Sequence, residues 1–534
     1  TQAKTLFPYT TLFRSSVGAG DDFFALGGDS IVAITVVNRL RRRGLLVDVR
    51  ELFEQRTVAA LAAVVRRAEE TDAPEVSTGD PERTDPLPLT PIVAQLASRP
   101  GRWQSLAQSI TVALPAAITA DEVRQALAAV ISRHEALRLR VTTTVAGVWT
   151  VQPIPSESFD TAGILTVHEI TDATEEAFAS VAAGTHARLD PTVGGTITAA
   201  AVFESGNNAT DTGYGRLVLV IHHLAVDAVS WRILLDDLAE AANAVAAGAT
   251  PALPPPAVSY SRYTDTAAEL AAAPSIMAEL TRWQGLLTRS APITDAATLG
   301  VQADLAKEVI TLDAEQTRAY LTSGSVTAAL IADTGTAITR WLPHRGNPVE
   351  AGPLLIDVEG HGRDLGGLDL SRTVGWLTTV GPVLFDPAAD DPVDDIASAL
   401  GQESHSYGLL RYCNARTARV LARAPKAQVL VNYLGTIVLG GQSVPGGQAD
   451  WQPASEAAWT RTRPADDLGA EYAVTVDARV ERDSRGQDRL VVEVTCSALV
   501  FTGPEIEALV RSVEATVCER AARSGRVCSG HVRS

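Results

Sequence analysis

Two apolar rhythms take turns along most of the chain. From Arg216 to Ile221 every residue after the first is apolar, as in a strand buried on both faces, and from Trp231 to Val245 the apolar positions 231, 234, 235, 238, 242 and 245 trace one helix face. Leu354 to Ile356 opens a second apolar strand. If that strand continues, its period of two projects Asp357, Glu359, His361 and Arg363 to one side. Alternation of this kind from Leu89 onward predicts an α/β or α+β body. The start of the chain reads differently. Ser30 caps an apolar helix from Ile31 to Arg43 that Gly44 stops, and Thr57 caps another from Val58, so residues 16–68 form a small helical unit. Residues 69–88, with Pro74, Pro81, Pro86 and Pro88 among Asp, Glu, Ser and Thr, are a solvated linker. The consecutive Pro254, Pro255 and Pro256 then divide the body into lobes at 89–250 and 251–524, followed by a tail at 525–534.

Composition narrows the class without identifying it. At about 150 residues per domain, 534 residues make several folding units. With 46% hydrophobic and 20% charged residues, and no apolar run approaching the roughly 18 residues of a span, an integral membrane protein is excluded. A formal charge of -18 opposes phosphate backbones and anionic lipid, so neither nucleic acid nor a membrane is an expected partner. Cys413, Cys496, Cys518 and Cys528 contain no C-x-x-C pair, which predicts neither a disulfide framework nor a zinc knuckle. Without a basic-then-apolar leader, the sequence predicts a cytoplasmic protein. Residues 1–15 carry no acidic residue and no clear period; they resemble a translated sequencing adapter and are set aside.

Three strings carry candidate chemistry. Leu26-Gly27-Gly28-Asp29-Ser30-Ile31 puts a hydroxyl at a helix start behind two glycines, where unpaired N–H groups and the positive end of the helix dipole suit a phosphodiester. Serine is equally a good N-cap, so these six residues alone fit either role. His222-His223-Leu224-Ala225-Val226-Asp227-Ala228-Val229-Ser230-Trp231 sits at a strand end. Neighbouring strand residues face opposite ways, so only one of the two histidines can address a cleft, and their spacing does not converge on a metal. Val358-Glu359-Gly360-His361-Gly362-Arg363 reads as a solvent face or as a second reactive segment.

With their flanks, these strings resemble known motifs. Asp21-Asp22-Phe23-Phe24, the Gly-Gly-Asp-Ser string and Glu51-Leu52-Phe53 resemble a peptidyl carrier domain of a nonribosomal peptide synthetase. That family attaches 4'-phosphopantetheine to the serine, here Ser30, with Gly28 and Asp29 beside it; aspartate at 29 is common in carriers that precede epimerization domains. The H-H-x-x-x-D string with Ser230-Trp231 resembles the condensation and epimerization superfamily, and Glu359 to Arg363 resembles the E-G-H-G-R motif of epimerization domains. Ser371 to Trp376 and Val431-Asn432-Tyr433-Leu434-Gly435 resemble later motifs of the same domains. Ser406 to Arg411 matches a further one in part, without the usual glycine-rich stretch before it.

The resemblance implies a two-lobed, chloramphenicol-acetyltransferase-like α/β (α+β) body behind a small all-α carrier bundle whose first helix is missing, leaving Ile34, Val37 and Leu61 uncovered. It implies epimerization, L to D, at the Cα of an aminoacyl or peptidyl thioester, with His223 and Glu359 as the acid and base. His222, Asp227, His361, Arg363, Trp376, Asn432 and Tyr433 would support them, with Asn432 or Tyr433 donating to the substrate oxygen and Arg138 pairing with Asp227. If position 228 needs φ > 0, where the family has glycine, Ala228 costs roughly 1 kcal/mol. The implied partners are a phosphopantetheinyl transferase with coenzyme A, an upstream adenylation domain and a downstream condensation domain accepting the D-residue; no metal is implied. The alternatives are a condensation domain that forms peptide bonds and a catalytically silent domain that docks the carrier.

Overall fold

The structure, a computed structural model, describes residues 18–23, 30–41, 43–47, 49–67, 82–171, 174–204, 215–345, 352–400, 405–437, 443–444, 447–448, 450–454, 466–482 and 487–529. Residues 1–15, Gly28, Asp29 and most of the linker at 69–88 lie outside them.

The first unit is helical, as its caps predict. Helix α1 (Ser30–Arg41) begins at the expected serine and ends two residues before the expected Arg43, with Gly44 following at φ 71°. Helices α2 (Val49–Gln55) and α3 (Val58–Val64) complete it, and the Thr57 hydroxyl accepts from the Ala60 N–H at 3.2 Å. Val37, Leu40, Leu52 and Leu61 share one small core. The expectation that Ile34, Val37 and Leu61 lie uncovered is corrected: all three are buried, and Ile34 packs into the core of the body. Asn38 and Arg41 fasten the same helix there. The Asn38 amide donates to the Ser371 carbonyl at 2.8 Å, and Arg41 donates to the Ser371 hydroxyl at 2.8 Å and to Asp369 at 2.6 Å.

The body is built on two sheets. In the first lobe β1 (Ala107–Ala113), β2 (Leu165–Ile170), β3 (Ile197–Glu204) and β4 (Gly215–His222) form one sheet in the order β1-β4-β3-β2, with only β2 and β3 parallel. The continuous apolar run of β4 is buried on both faces, as its pattern requires. Helices α4 (Ala120–Arg133), α5 (Glu175–Ala187) and α6 (Ala228–Ala246) cover this sheet, with the Thr119 hydroxyl and the Glu122 carboxylate forming a capping box on α4. Helix α7 (Tyr260–Ala271), after the proline run, contributes Tyr260, Tyr263, Ala267 and Ala271 to the same core.

The second sheet comprises β5 (Leu305–Thr311), β6 (Leu354–Gly360), β7 (Thr379–Phe385), β8 (Val429–Ile437), β9 (Val474–Arg482) and β10 (Asp488–Ser497), ordered β7-β6-β8-β9-β10-β5. Ile356, Val358, Val429, Val431, Val474 and Val476 alternate onto the face packed by helices α8 (Val326–Trp341) and α9 (Gly503–Ser529). The alternate residues, Asp357 and Glu359 on β6 and Asp477 on β9, therefore stand on the other face. The lobes interlock. Leu365, Val374, Trp376, Trp451 and Leu468 enter the first core, and the Trp451 and Ala454 N–H groups bond to Ala113 and Thr111 at the edge of β1. Among the described residues, no helix is long and apolar enough to cross a membrane.

Candidate active site

The site forms where the end of β4 meets the end of β6. His222 is the last residue of β4 and fully buried; its Nε2 donates to the Trp103 carbonyl at 2.9 Å, and its Nδ1 accepts from the Leu224 N–H at 3.1 Å. Burial without a charged partner pushes this histidine down to about 3, so it is a neutral structural group. His223 begins a single 3₁₀ turn and faces the other way, partly open. Its ring stacks on Trp376, centroid to centroid 4.1 Å at 29°, and its Nδ1 lies 2.9 Å from the Val226 carbonyl. A carbonyl only accepts, so Nδ1 carries the proton and Nε2 keeps its lone pair. Desolvation holds His223 below the ordinary histidine range, although Asp227 and the Val226 carbonyl pull the other way.

Asp227 caps α6. Its Oδ1 accepts from the Ser230 N–H at 2.8 Å, and the carboxylate takes a two-pronged contact from Arg363 at 2.7 and 2.9 Å. Both side chains are buried, at 5% and 2% exposure. Burial pushes Asp227 upward, but Arg363 and the Ser230 N–H outweigh it and hold the carboxyl below the usual range. This corrects the expected pairing with Arg138. That guanidinium turns away to the Ile131, Ser132 and Ile154 carbonyls and to Glu82 at 2.9 Å, tying the linker to the body. The reason is topological: Asp227 points across the seam to the second lobe, whereas Arg138, just after α4, is buried among carbonyls of the first. Ala228 stands exposed at the first position of α6 and is not among the residues with positive φ, so the anticipated strain is absent.

Strand β6 ends at Gly360, so the projected alternation through His361 and Arg363 does not hold. Gly362 adopts φ 65°, where a Cβ would lie 1.7 Å from the Leu377 carbonyl oxygen, and this turn swings Arg363 across to Asp227. His361 serves the turn: its Nδ1 accepts from the Arg363 N–H at 3.0 Å, and its carbonyl accepts from the guanidinium at 3.1 Å. Arg363 also donates to the Ser230 hydroxyl and the Thr373 carbonyl, each at 3.2 Å. One guanidinium thus locks the loop after β4 to the loop after β6. His223 and Glu359 each stand four residues ahead of a member of this ion pair.

Glu359 keeps the strand geometry and pairs with Val380 of β7, three residues beyond Leu377 and four beyond the Trp376 that stacks on His223. It lines a cavity of about 190 Å³ together with Trp283, His361, Asp364 and His405. Desolvation pushes Glu359 up to about 8, and the neighbouring Asp477 and Glu471 push in the same direction. Asp477 on β9 is itself raised to about 6, chiefly by burial, and pairs in register with Asn432, whose amide hydrogen-bonds it. Asn432 therefore lies on the face that carries Glu359. Tyr433, one residue on, packs against the helix-covered core and does not join them. Ser406 accepts from the Trp283 indole N–H at 2.9 Å, whereas residues 401–404, just before this partly matched string, lie outside the described residues.

Two contributors escaped the sequence motifs. Asp477 sits in Val-Thr-Val-Asp-Ala-Arg-Val, an ordinary alternating strand whose one signal is an acid on an inner strand. Gln108 on β1 reaches His223 and has no motif signal at all. A second buried clamp repeats the first: Arg372 donates to both oxygens of Asp237 on α6, at 2.9 and 2.8 Å, and His134 lies 2.9 Å from the same carboxylate. Among the described residues, no group of three His, Cys, Asp or Glu side chains is arranged to hold a metal.

Comparison with known proteins places this geometry. A condensation domain family model matches residues 101–516, and a phosphopantetheine attachment site model matches residues 14–65. The chain is 31% identical over 521 residues to a linear gramicidin synthase of Brevibacillus parabrevis, covering 92% of this chain and 9% of that protein. It is 30% identical to a chondramide synthase of Chondromyces crocatus, covering 79% of this chain and 11% of that protein. The chain thus spans about a tenth of the length of these relatives. Among solved structures it resembles the epimerization domain from the third module of tyrocidine synthetase B, with TM-score 0.68, 20% identity, and 83% of this chain and 98% of that one covered. It also resembles the X-domain from teicoplanin biosynthesis, with TM-score 0.59, 20% identity, and 85% and 98% covered. The mixed α/β, two-lobed, chloramphenicol-acetyltransferase-like architecture is that of such domains, as the sequence resemblance implied.

Proposed function

The chain belongs to the condensation domain family, with a phosphopantetheine attachment domain ahead of that body, and on this premise we propose that it is a segment of a nonribosomal peptide synthetase that epimerizes the Cα of a carrier-bound aminoacyl or peptidyl thioester. The observation that carries the reading is Glu359. A condensation domain needs the histidine but has no use for a carboxyl group raised to about 8 at the cavity wall. Ser30, the first residue of a twelve-residue helix, fits a phosphate ester, because the N–H groups of a helix's first turn favour an anion. Once attached, the pantetheine thiol supplies the thioester that makes the substrate's Cα–H acidic.

The residues then divide the work. His223 is neutral with its lone pair on Nε2, so it takes the proton. Glu359 is protonated near neutrality, so it returns one. Inversion follows if the two act on opposite faces of Cα, each contributing on the order of 10² to 10⁴ in rate. The Asn432 amide, on the same face as Glu359, is placed to donate to the substrate oxygen as negative charge grows there. Asp227 and Arg363 fix the two loops and transfer no proton. Loading at Ser30 requires a phosphopantetheinyl transferase and coenzyme A, and the stereochemical product implies an adenylation domain upstream and a condensation domain selective for the D-residue downstream.

A synthetic L-aminoacyl-pantetheine incubated with the protein in D₂O tests the reading. Appearance of the D-isomer with deuterium at Cα supports it. Formation of an amide between two loaded carriers, without exchange at Cα, would show a condensation enzyme, and neither product would show a docking domain.

A further inference from the structure

A second hydrogen-bond chain reaches His223 from the first lobe. The Trp231 indole N–H donates to Gln108 Oε1 at 2.6 Å, and Gln108 Nε2 lies 3.0 Å from His223 Nε2. An indole nitrogen can only donate, so it fixes which end of the amide faces it, and the NH₂ end must face the histidine. That NH₂ can only donate in turn. His223 Nε2 is therefore an acceptor, and the bond from Nδ1–H to the Val226 carbonyl demands the same tautomer from the other side of the ring. Each donor in the series from Trp231 through Gln108 and His223 to Val226 specifies the next.

From this we propose that Gln108, oriented by Trp231, is a positioning residue for the reaction proposed above: it holds His223 as the Nδ1–H tautomer with the Nε2 lone pair presented for the incoming proton. The neutral amide holds the lone pair without protonating it, and the substrate's C–H replaces the amide N–H at the moment of transfer. An imidazolium would have to break this bond, so Gln108 also favours the neutral ring. A carboxylate at the same position would still accept from the indole but would reverse the link to the ring, accepting from His223 Nε2–H. The other groups bearing on the ring are Asp227 on its own loop, the neutral His222 on β4, and Trp376 from the second lobe, and none of these fixes the proton on Nδ1. The assignment gives the Ser230-Trp231 pair two tasks: Ser230 bonds Gly375 across the seam, and Trp231 orients the amide.

The test uses the full chain labelled with ¹⁵N-histidine, His223 being identified among the 9 histidines by the signal lost in His223→Ala. The parent should show a protonated Nδ1 and a bare Nε2. Gln108→Glu should move the proton onto Nε2 or protonate both nitrogens, and should lower Cα exchange by about 10²-fold or more. Trp231→Phe, which frees the amide to rotate, should give mixed tautomers and a smaller loss. It keeps the question answerable if Gln108→Glu does not fold. An unchanged ¹⁵N pattern in the folded variants would overturn the proposal, as would a tautomer change that leaves the exchange rate within about threefold of the parent's. Because the tautomer is read without turnover, a parent that shows the expected pattern but no Cα exchange would refute the epimerase reading and not the hydrogen-bond chain.

Discussion

The two sides of the seam treat their reactive groups in opposite ways. On the first lobe, hydrogen bonds from Gln108 and to Val226 leave His223 neutral, and desolvation lowers its affinity for a proton. On the second, the same physical cause, reinforced by Asp477 and Glu471, raises the proton affinity of Glu359. Burial always disfavours the charged form, which is the base's conjugate acid in one case and the acid's conjugate base in the other. Under the proposed reaction, the same desolvation therefore suits His223 to accept a proton and Glu359 to supply one. The seam's geometry depends on the clamp between Asp227 and Arg363, whose members are 136 residues apart in sequence yet buried as one unit.

Breaking the clamp should have the largest effect. Arg363→Ala leaves Asp227 buried without its cation, at a cost of about 3 to 5 kcal/mol, and should abolish Cα exchange as the two loops separate. Thermal melts should show a clear fall, and the double change to alanine should cost less than the two single changes together; strict additivity would mean that the pair is not a coupled unit.

Removing the donor alone should separate chemistry from stability. Glu359→Gln is expected to lose about 10² to 10⁴ in exchange with an unchanged or higher melting temperature. The sign follows from linkage. The folded-state value of about 8 lies above the unfolded one, so the contribution is full below about 4.3 and fades as pH rises through 8, where the desolvated carboxylate must ionise. Melts from pH 6 to about 9 should show the parent losing stability relative to the glutamine variant. A parallel pair of curves would remove the case for a protonated Glu359.

The rate profile sharpens the comparison further. Exchange from the L-substrate should hold across neutral pH, fall above about 8 as Glu359 loses its proton, and fall in acid only below the ordinary histidine range, since His223 is shifted down. A rate that climbs through pH 8 would exchange the two roles and make Glu359 the base.

The smallest effect belongs to the contact between α1 and the body. Arg41 and Asp369 are 27% and 39% exposed, so Arg41→Glu should change stability by only about 0 to 1 kcal/mol. Its consequence should appear in carrier-bound substrate, turned over more slowly, while free aminoacyl-pantetheine reacts at the parent rate. Equal slowing of both would place the defect in the body.

Much of this molecule was legible before folding was considered. The period of two in Arg216 to Ile221 and of 3.6 in Trp231 to Val245 recurs as β4 and α6, and Thr57 caps the helix it was expected to cap. That His222 and His223 face different ways was expected from strand alternation, although the strand ends at His222 and a 3₁₀ turn carries His223; which of the two is reactive came only from the family resemblance. These features depend on near neighbours in sequence. The placement of His361 and Arg363 was misread because one glycine at positive φ ends the alternation, and nothing in the period announces where a strand stops.

What the sequence determined by itself is therefore the set of elements and the identity of the strings that carry reactive side chains, because propensity, capping and periodicity are local. Tertiary structure decided how those strings are used. It chose Arg363 over Arg138 for Asp227, put Asn432 beside Glu359 and Tyr433 behind it, brought Asp477 to Glu359 and Gln108 to His223, and carried Ile34 from the small helical unit into the core of the body. Each of these outcomes joins residues from separate strands or separate lobes. A proton's position on an imidazole or a carboxyl depends on donors, acceptors and solvent within a few ångströms, and only the packing of the two sheets sets those distances.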